Sequence, residues 1–313
     1  FRFSNYSGKL LAFYEKNPDF IIPSHRQNEI REFVKRGLQD FSISRLKSKM
    51  PWGVPVPGDD NQVMYVWFDA LVNYVSALGW PDEKGNYGKF WPGMQVAGKD
   101  NLRQQTAMWQ AMLMSAGIPN SNKVMIFGFI TSGGQKMSKS LGNVVSPYDL
   151  VDKYGTDATR YFLLSEITPF EDGDFTFEKF ELKFNADLAN GLGNLTARIT
   201  TLLEKNAIAI KPEACVSEKL KASFESKMKE YRFDEALKVL WEELKSMDEE
   251  LSGKKPWKME DKLEIKEILE PMAGKLAGIA RLLEPFMPET AQKISKIFAV
   301  EEVKKAEPLF PRV

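Results

Sequence analysis

The sequence predicts an α/β domain followed by an all-α domain. Residues 1–140 alternate strand-like and helix-like signals, the pattern of a parallel, doubly wound sheet. From Asn185 onward, apolar residues recur at spacings of three and four, as in an antiparallel helix bundle. The chain has 313 residues, 43% hydrophobic and 12% aromatic, enough for about two domains with sizeable cores.

Ser24-His25-Arg26-Gln27 has the form of a capping box, opening a helix with apolar Ile30, Phe33, Val34 and Leu38 and Gly37 near its end. His25 is then a first-turn surface residue. Phe41-Ser42-Ile43-Ser44 alternates like a strand, and Pro51 to Pro57 reads as a connector. Val63 to Phe68 is an apolar run of buried-strand length. Asp69 is expected to cap a helix that carries Leu71, Tyr74, Val75 and Leu78 and ends at Gly79. Gly93 to Gly98 is a third strand, Leu102 to Ser115 a helix stopped by Gly117, and Val124 to Ile130 a fourth strand. Asp69, Asp100 and the loop at Lys136 all come just after strands, so they are expected to converge on the crevice at the carboxyl ends of a parallel sheet.

A capping box comes after that loop, with Ser146 as N-cap, Pro147 in the first helical position and Asp149 as its acid. Asp157 to Leu164 looks helical, and Pro169 to Phe177 looks like a loop or short strand. Three apolar stripes then predict the bundle: Leu188 to Leu202, Ala236 to Met247, and Ile268 to Leu283.

Composition narrows the chemistry. Lys+Arg and Asp+Glu are both 43, and neither half is bulk-basic, so any RNA contact must use local patches. One cysteine (Cys215) and one histidine (His25) leave no disulfide framework and no cysteine- or histidine-based metal or zinc site. No signal peptide and no long uncharged apolar run is visible, so a soluble chain in a reducing, cytoplasmic compartment, without membrane contact, is expected.

The most informative segment is Lys136-Met137-Ser138-Lys139-Ser140, inside a run from Gly133 to Asn143. Two lysines three apart among small hydroxyl and glycine residues make a basic loop able to close over a polyphosphate, where compact charge stabilises phosphate oxygens. Most Lys/Ser loops are merely solvated. This run, however, resembles the KMSKS loop of class I aminoacyl-tRNA synthetases. Together with Tyr65-Val66-Trp67-Phe68-Asp69-Ala70, Gly98-Lys99-Asp100 and Lys255-Pro256-Trp257, it makes the chain similar to the methionyl-tRNA synthetase family from its first residues to about Phe298.

The resemblance implies three regions. Residues 1–140 would be the C-terminal half of a Rossmann-type catalytic domain, 141–184 a stem-contact connection, and 185–313 an anticodon-binding helical bundle. It implies ATP-dependent activation of L-methionine to methionyl-adenylate, then transfer to tRNA(Met). Lys139, helped by Lys136, would stabilise the phosphates of ATP accompanied by Mg2+. Gly98, Asp100, Met137, Ser138 and Ser140 would complete the ATP contacts. Asp100 reads equally well, on local grounds, as a helix N-cap.

Trp67, Tyr74 and Trp109 would wall the methionine pocket, where aromatic edges suit a thioether; by themselves they read as core packing. The family usually has Phe-His where this chain has Gln104-Gln105, so Gln105 replaces a titrating group with an amide. Asn194 and Arg198, one helical turn apart, and Trp257 in its Pro-Trp turn would read the CAU anticodon by polar contacts and stacking. On sequence physics alone they are helix surface and a packing Trp.

The family's HIGH motif has no counterpart around His25. The resemblance therefore implies that the HIGH-containing N-terminal catalytic region precedes Phe1 and acts as a partner of this chain, which alone is expected to be inactive. The alternatives are a fragment serving only as a tRNA-anticodon module, or another KMSKS-type class I synthetase.

Overall fold

The computed structural model describes residues 1–313. It divides into two compact units, Phe1–Gly128 and Phe129–Val313.

In the first unit, α1 (Ser7–Lys16) leads through β1 (Ile21–Ile22) to α2 (Ser24–Lys35). An antiparallel sheet comes next, β2 (Ser44–Leu46), β3 (Pro55–Val56) and β4 (Asp59–Met64), in order β2-β4-β3. Short helices α3 (Val66–Ala70), α4 (Asn73–Ser76) and α5 (Asn86–Phe90) precede β5 (Met94–Gly98). A 3-10 turn at Lys99–Asn101, a π-helical stretch at Gln104–Met108 and α6 (Trp109–Ala116) lead to β6 (Lys123–Phe127). Strands β1, β6 and β5 form a parallel sheet in that order, with Met94 to Gly98 opposite Lys123 to Phe127.

The sheet exists because Val124 and Ile126 bury one face of β6 in a cluster with Leu10, Tyr14, Ile30 and Val34. A second cluster gathers Leu71, Val75, Trp91, Trp109 and Leu113. Gln27 serves the first cluster. It accepts from Ile21 N–H at 2.9 Å and donates to the carbonyls of Tyr14 and Asn17. That use of the side chain replaces the expected capping box at Ser24, whose helix starts without a side-chain cap.

Two expected strands are divided. In the run Val63–Phe68, β4 stops at Met64 and α3 starts at Val66; β4 also joins the antiparallel sheet, not the parallel one. A six-residue apolar run fits a strand and a short helix equally, so periodicity could not separate them. Asp69 accordingly lies inside α3 and caps nothing. The run Val124–Ile130 also breaks: β6 ends at Phe127, and β7 (Ile130–Ser132) starts a different sheet in the second unit.

That second sheet has order β8-β7-β9, with β8 (Gln135–Lys136) antiparallel to β7 and β9 (Gly173–Phe175) parallel to it. Between them lie α7 (Pro147–Tyr154) and α8 (Thr156–Ser165). Pro147 does open α7, but Ser146 makes no side-chain cap bond, so the expected capping box is absent. Helix α9 (Phe177–Lys183) runs through a π-helical segment, Phe184–Gly193, into α10 (Asn194–Lys205). Helices α11 (Glu218–Lys229), α12 (Phe233–Lys254), α13 (Lys262–Leu283) and α14 (Pro288–Ile297) complete the unit.

All three sequence stripes meet in one core: Leu195, Ile199, Leu240, Leu244, Leu269 and Leu276 are fully or almost fully buried there. The connecting region belongs to it as well. Buried Asp157 on α8 accepts from Thr290 N–H at 2.6 Å, satisfying an orphan donor at the start of α14. Arg160 donates to the carbonyls of Phe286 and Pro285.

Candidate functional site

The Lys136–Ser140 segment is built on the β7–β8 hairpin. Gly133 and Gly134, with φ of 60° and 75°, form its two-residue turn; two consecutive positive φ values favour glycine at both positions. Three side chains hold the hairpin and the residues just beyond it. Asp174 on β9 accepts from Gly134 N–H at 2.6 Å and from Thr131 Oγ1 at 2.8 Å. Asn143 accepts from Ser138 N–H at 2.9 Å and donates to the Lys136 carbonyl at 3.3 Å. Ser138 caps a 3-10 turn, Lys139–Leu141, by accepting from Leu141 N–H, and its hydroxyl lies 3.1 Å from that of Ser140.

Met137 is partly buried against the helical core and anchors the segment from below. The two lysines differ. Lys136 Nζ sits 4.5 Å from the centre of the Phe129 ring, a cation–π contact. Lys139 is exposed on the 3-10 turn.

Gly134 N–H, then Thr131 and Lys179, hold the Asp174 carboxyl below the usual carboxylate range. A lowered folded-state pKa means the hold is complete above the ordinary value near 4 and is lost as pH falls through the lowered one. Asp174→Asn is expected to speed hydrogen exchange at Gly134 at neutral pH. Measured as protection relative to the intrinsic rate at each pH, the wild-type amide should lose protection only in acid, and protection that does not change with pH would contradict the clamp.

In the first unit, β5 ends at Gly98, which occupies the N-cap of the adjoining 3-10 turn. Asp100 lies inside that turn, exposed, so the helix-cap alternative for its side chain is not what forms. A Cβ on Gly98 would stand 3.1 Å from Asp100 Oδ1, so the glycine keeps that carboxylate close to the strand end.

The four amide and aromatic candidates do come together. Trp67 and Tyr74 pack against the cluster that contains buried Trp109. The Tyr74 and Trp109 rings are 6.1 Å apart and inclined by 44°. Gln105, on the π-helical stretch, donates to the Tyr74 hydroxyl at 3.0 Å. π-Helical insertions re-aim side chains and are frequent at functional sites. Trp109 Nε1 is buried with no protein acceptor.

In the second unit, Arg198 and Trp257 also meet: the guanidinium carbon is 5.4 Å from the indole centre. Lys255, at φ 51°, ends α12 and starts the turn Pro256–Lys258 that presents Trp257, which is 43% exposed. Asp248 and Ser252 on α12 both accept from Arg198, fixing its plane. Asn194 is exposed one turn before it, just after the second π-helical segment.

Sequence reasoning missed Asp174, Asn143, Asp248 and Ser252 as supports. Nothing local marks the first and last two, because strand pairing and helix packing bring them in from 40 to 54 positions away. It also missed Gln95 and Gln110, although an amide in each of two otherwise apolar runs is a visible signal.

Comparison with known proteins gives one consistent answer. The family described as "tRNA synthetases class I (M)" matches residues 1–200. Curated proteins named methionine–tRNA ligase from Mesorhizobium japonicum and Brucella suis are 40% and 39% identical, each over 97% of this chain and over 61% and 62% of their own lengths. A Mycobacterium tuberculosis methionyl-tRNA synthetase, solved in complex with methionyl-adenylate, matches with a TM-score of 0.89 and 34% identity, over 100% of this chain and 68% of that one. The free-state structure matches with a TM-score of 0.86 and 32% identity. The chain thus spans about three-fifths of the curated relatives' length.

Proposed function

The chain belongs to the methionyl-tRNA synthetase family of class I, and from that premise we propose that it forms part of a methionine–tRNA ligase. The observation that carries the reading is the Lys136–Ser140 segment set on a clamped hairpin, with Lys139 exposed on its turn. Lys139, with Lys136 once it leaves the Phe129 ring, would meet the phosphates of ATP. Gly98 and Asp100 would take the nucleoside side, where a strand-end carboxylate can accept from ribose hydroxyls.

Mg2+ would accompany the ATP. No group of three His, Cys, Asp or Glu side chains here could hold a metal by itself. The ion is therefore proposed to arrive on the phosphates of its substrate.

Trp67, Tyr74, Gln105 and Trp109 would hold the methionine side chain, and the second unit would bind tRNA(Met) through Asn194, Arg198 and Trp257. The regions 1–140, 141–184 and 185–313 would then serve catalysis, stem contact and anticodon reading. No helix is long and apolar enough to cross a membrane, and a cytoplasmic site of action is proposed with the rest.

The test is methionine-dependent ATP–pyrophosphate exchange by the complete enzyme, against leucine, isoleucine and valine. Exchange with methionine alone is expected. Exchange driven by a branched aliphatic amino acid instead would assign the chain to another KMSKS-type synthetase. With His25 its one histidine, exposed on α2, the chain by itself is expected to give negligible exchange. A chain that binds tRNA but supports no exchange when combined with the HIGH-containing region would be an anticodon module only.

A further inference from the structure

Behind Tyr74 lies a chain of buried amides whose hydrogen-bond direction is fixed from one end. Ser121 N–H can only donate, and it donates to Gln110 Oε1 at 3.2 Å, as Asn120 Nδ2 does at 3.1 Å. The Gln105 carbonyl can only accept, and it takes Gln110 Nε2 at 2.9 Å. Both ends of the Gln110 amide are therefore assigned by backbone groups that cannot reverse.

Gln110 Nε2 also donates to Ser121 Oγ at 3.0 Å, so the single serine proton goes to Gln95 Oε1 at 2.5 Å. Gln95 must then turn its Nε2 to Gln105 Oε1, at 3.2 Å. Gln105 in turn offers its Nε2 to the Tyr74 hydroxyl, at 3.0 Å. Every member up to Gln105 is at least 95% buried: Gln95 is 3% exposed, Gln105 4%, Gln110 0% and Ser121 3%. Water cannot scramble the order there, and a reversed amide would leave two like groups facing each other unsatisfied, a costly state in a buried network.

The consequence falls on Tyr74. Its oxygen is occupied as an acceptor, so its own proton is left to give. We propose that Ser121, Gln110 and Gln95 are positioning residues that act through Gln105 to hold the Tyr74 hydroxyl as a donor, and that this selects an amino-acid side chain with an acceptor at that point. The inference rests on the methionine reading above. A thioether sulfur is such an acceptor, though a weak one, and the equally long all-carbon side chain of norleucine has none. No member of the relay other than tyrosine carries an ionisable side chain, so the polarity is built from neutral groups alone.

The experiment compares binding of L-methionine and L-norleucine to the full protein by calorimetry, for the wild type and three variants. Ser121→Ala removes the hydroxyl link with almost no change in volume. Gln95→Leu breaks the next link at similar size, and Tyr74→Phe removes the donor itself. The ratio of the two affinities is the readout, because a loosened pocket weakens both ligands together.

The wild type is expected to prefer methionine, and each variant to lower that ratio by about 3- to 10-fold. Ser121→Ala combined with Tyr74→Phe should be no lower than Tyr74→Phe alone, since both act on one proton. If Tyr74→Phe lowers the ratio while Ser121→Ala and Gln95→Leu keep the wild-type value, the relay does not set the hydroxyl and the inference is overturned. Reductions that multiply in the double variant overturn it equally. Binding of neither amino acid by the wild type overturns the methionine reading itself.

Discussion

Lys139→Ala is expected to lower methionine-dependent ATP–pyrophosphate exchange by the complete enzyme about 10²–10³-fold, with little change in methionine affinity. The size comes from what the residue would do. Charge builds on the phosphate oxygens as the α-phosphoryl group is attacked, and a preset cation there acts on the transition state more than on the ground state. Lys139 suits this because it sits on a short turn whose start is fixed by Ser138 and Asn143 and which leaves the lysine itself exposed. Lys136 is engaged with the Phe129 ring. Part of any gain on meeting phosphate would be offset by leaving that ring, so Lys136→Ala should cost less. Steady-state exchange with each variant measures both. Equal losses in the two, or a loss carried by methionine KM alone, would contradict the division of roles.

The second large effect is expected at the helical unit. Trp257→Ala should weaken binding of a tRNA with a CAU anticodon by about 1–3 kcal/mol, the value of one base stacked on an aromatic ring. The indole is held in place: Lys255 and Pro256 fix its turn, and Arg198 lies over its ring. Arg198→Ala should produce a comparable loss, and it also strips Asp248 of its partner. Asp248→Asn then becomes the useful control. It keeps the shape and removes the negative charge, so RNA binding should hold or strengthen if Arg198 meets RNA. Retention of full affinity by Trp257→Ala, with an unchanged unfolding temperature, would remove the indole from the interface and leave it a packing residue.

Much of this was legible in the sequence, for identifiable reasons. The helical stripes were readable because a buried face must recur every three to four positions, and Leu195, Leu240 and Leu276 are all within 1% of complete burial. Gly133 and Gly134 were visible in the run, but their paired positive φ, and the hairpin it creates, emerge only with β8 paired to β7. Val63 to Phe68 failed as a strand because six apolar residues carry no period, and the change to helix at Val66 is set by packing of Trp67 and Phe68 against the Trp109 cluster. The Ser24 capping box failed for a different reason. Local rules offered Gln27 to the helix start, whereas the fold uses it to pin Ile21, Tyr14 and Asn17. For the candidate sites, the residues that would touch ligands carried a motif. Those that steady them, Asp174 and Asp248 above all, reach them only through pairing across the fold.

The most direct test is binding of the protein, at one fixed salt concentration, to an initiator-type tRNA transcript with anticodon CAU and to the same transcript with the anticodon changed. Phosphate contacts are identical in the two, so salt-dependent affinity cancels and only base reading remains. A strong preference for CAU is the result predicted for a methionine–tRNA ligase reading its anticodon at Asn194, Arg198 and Trp257. Equal, salt-sensitive binding of both transcripts would contradict it.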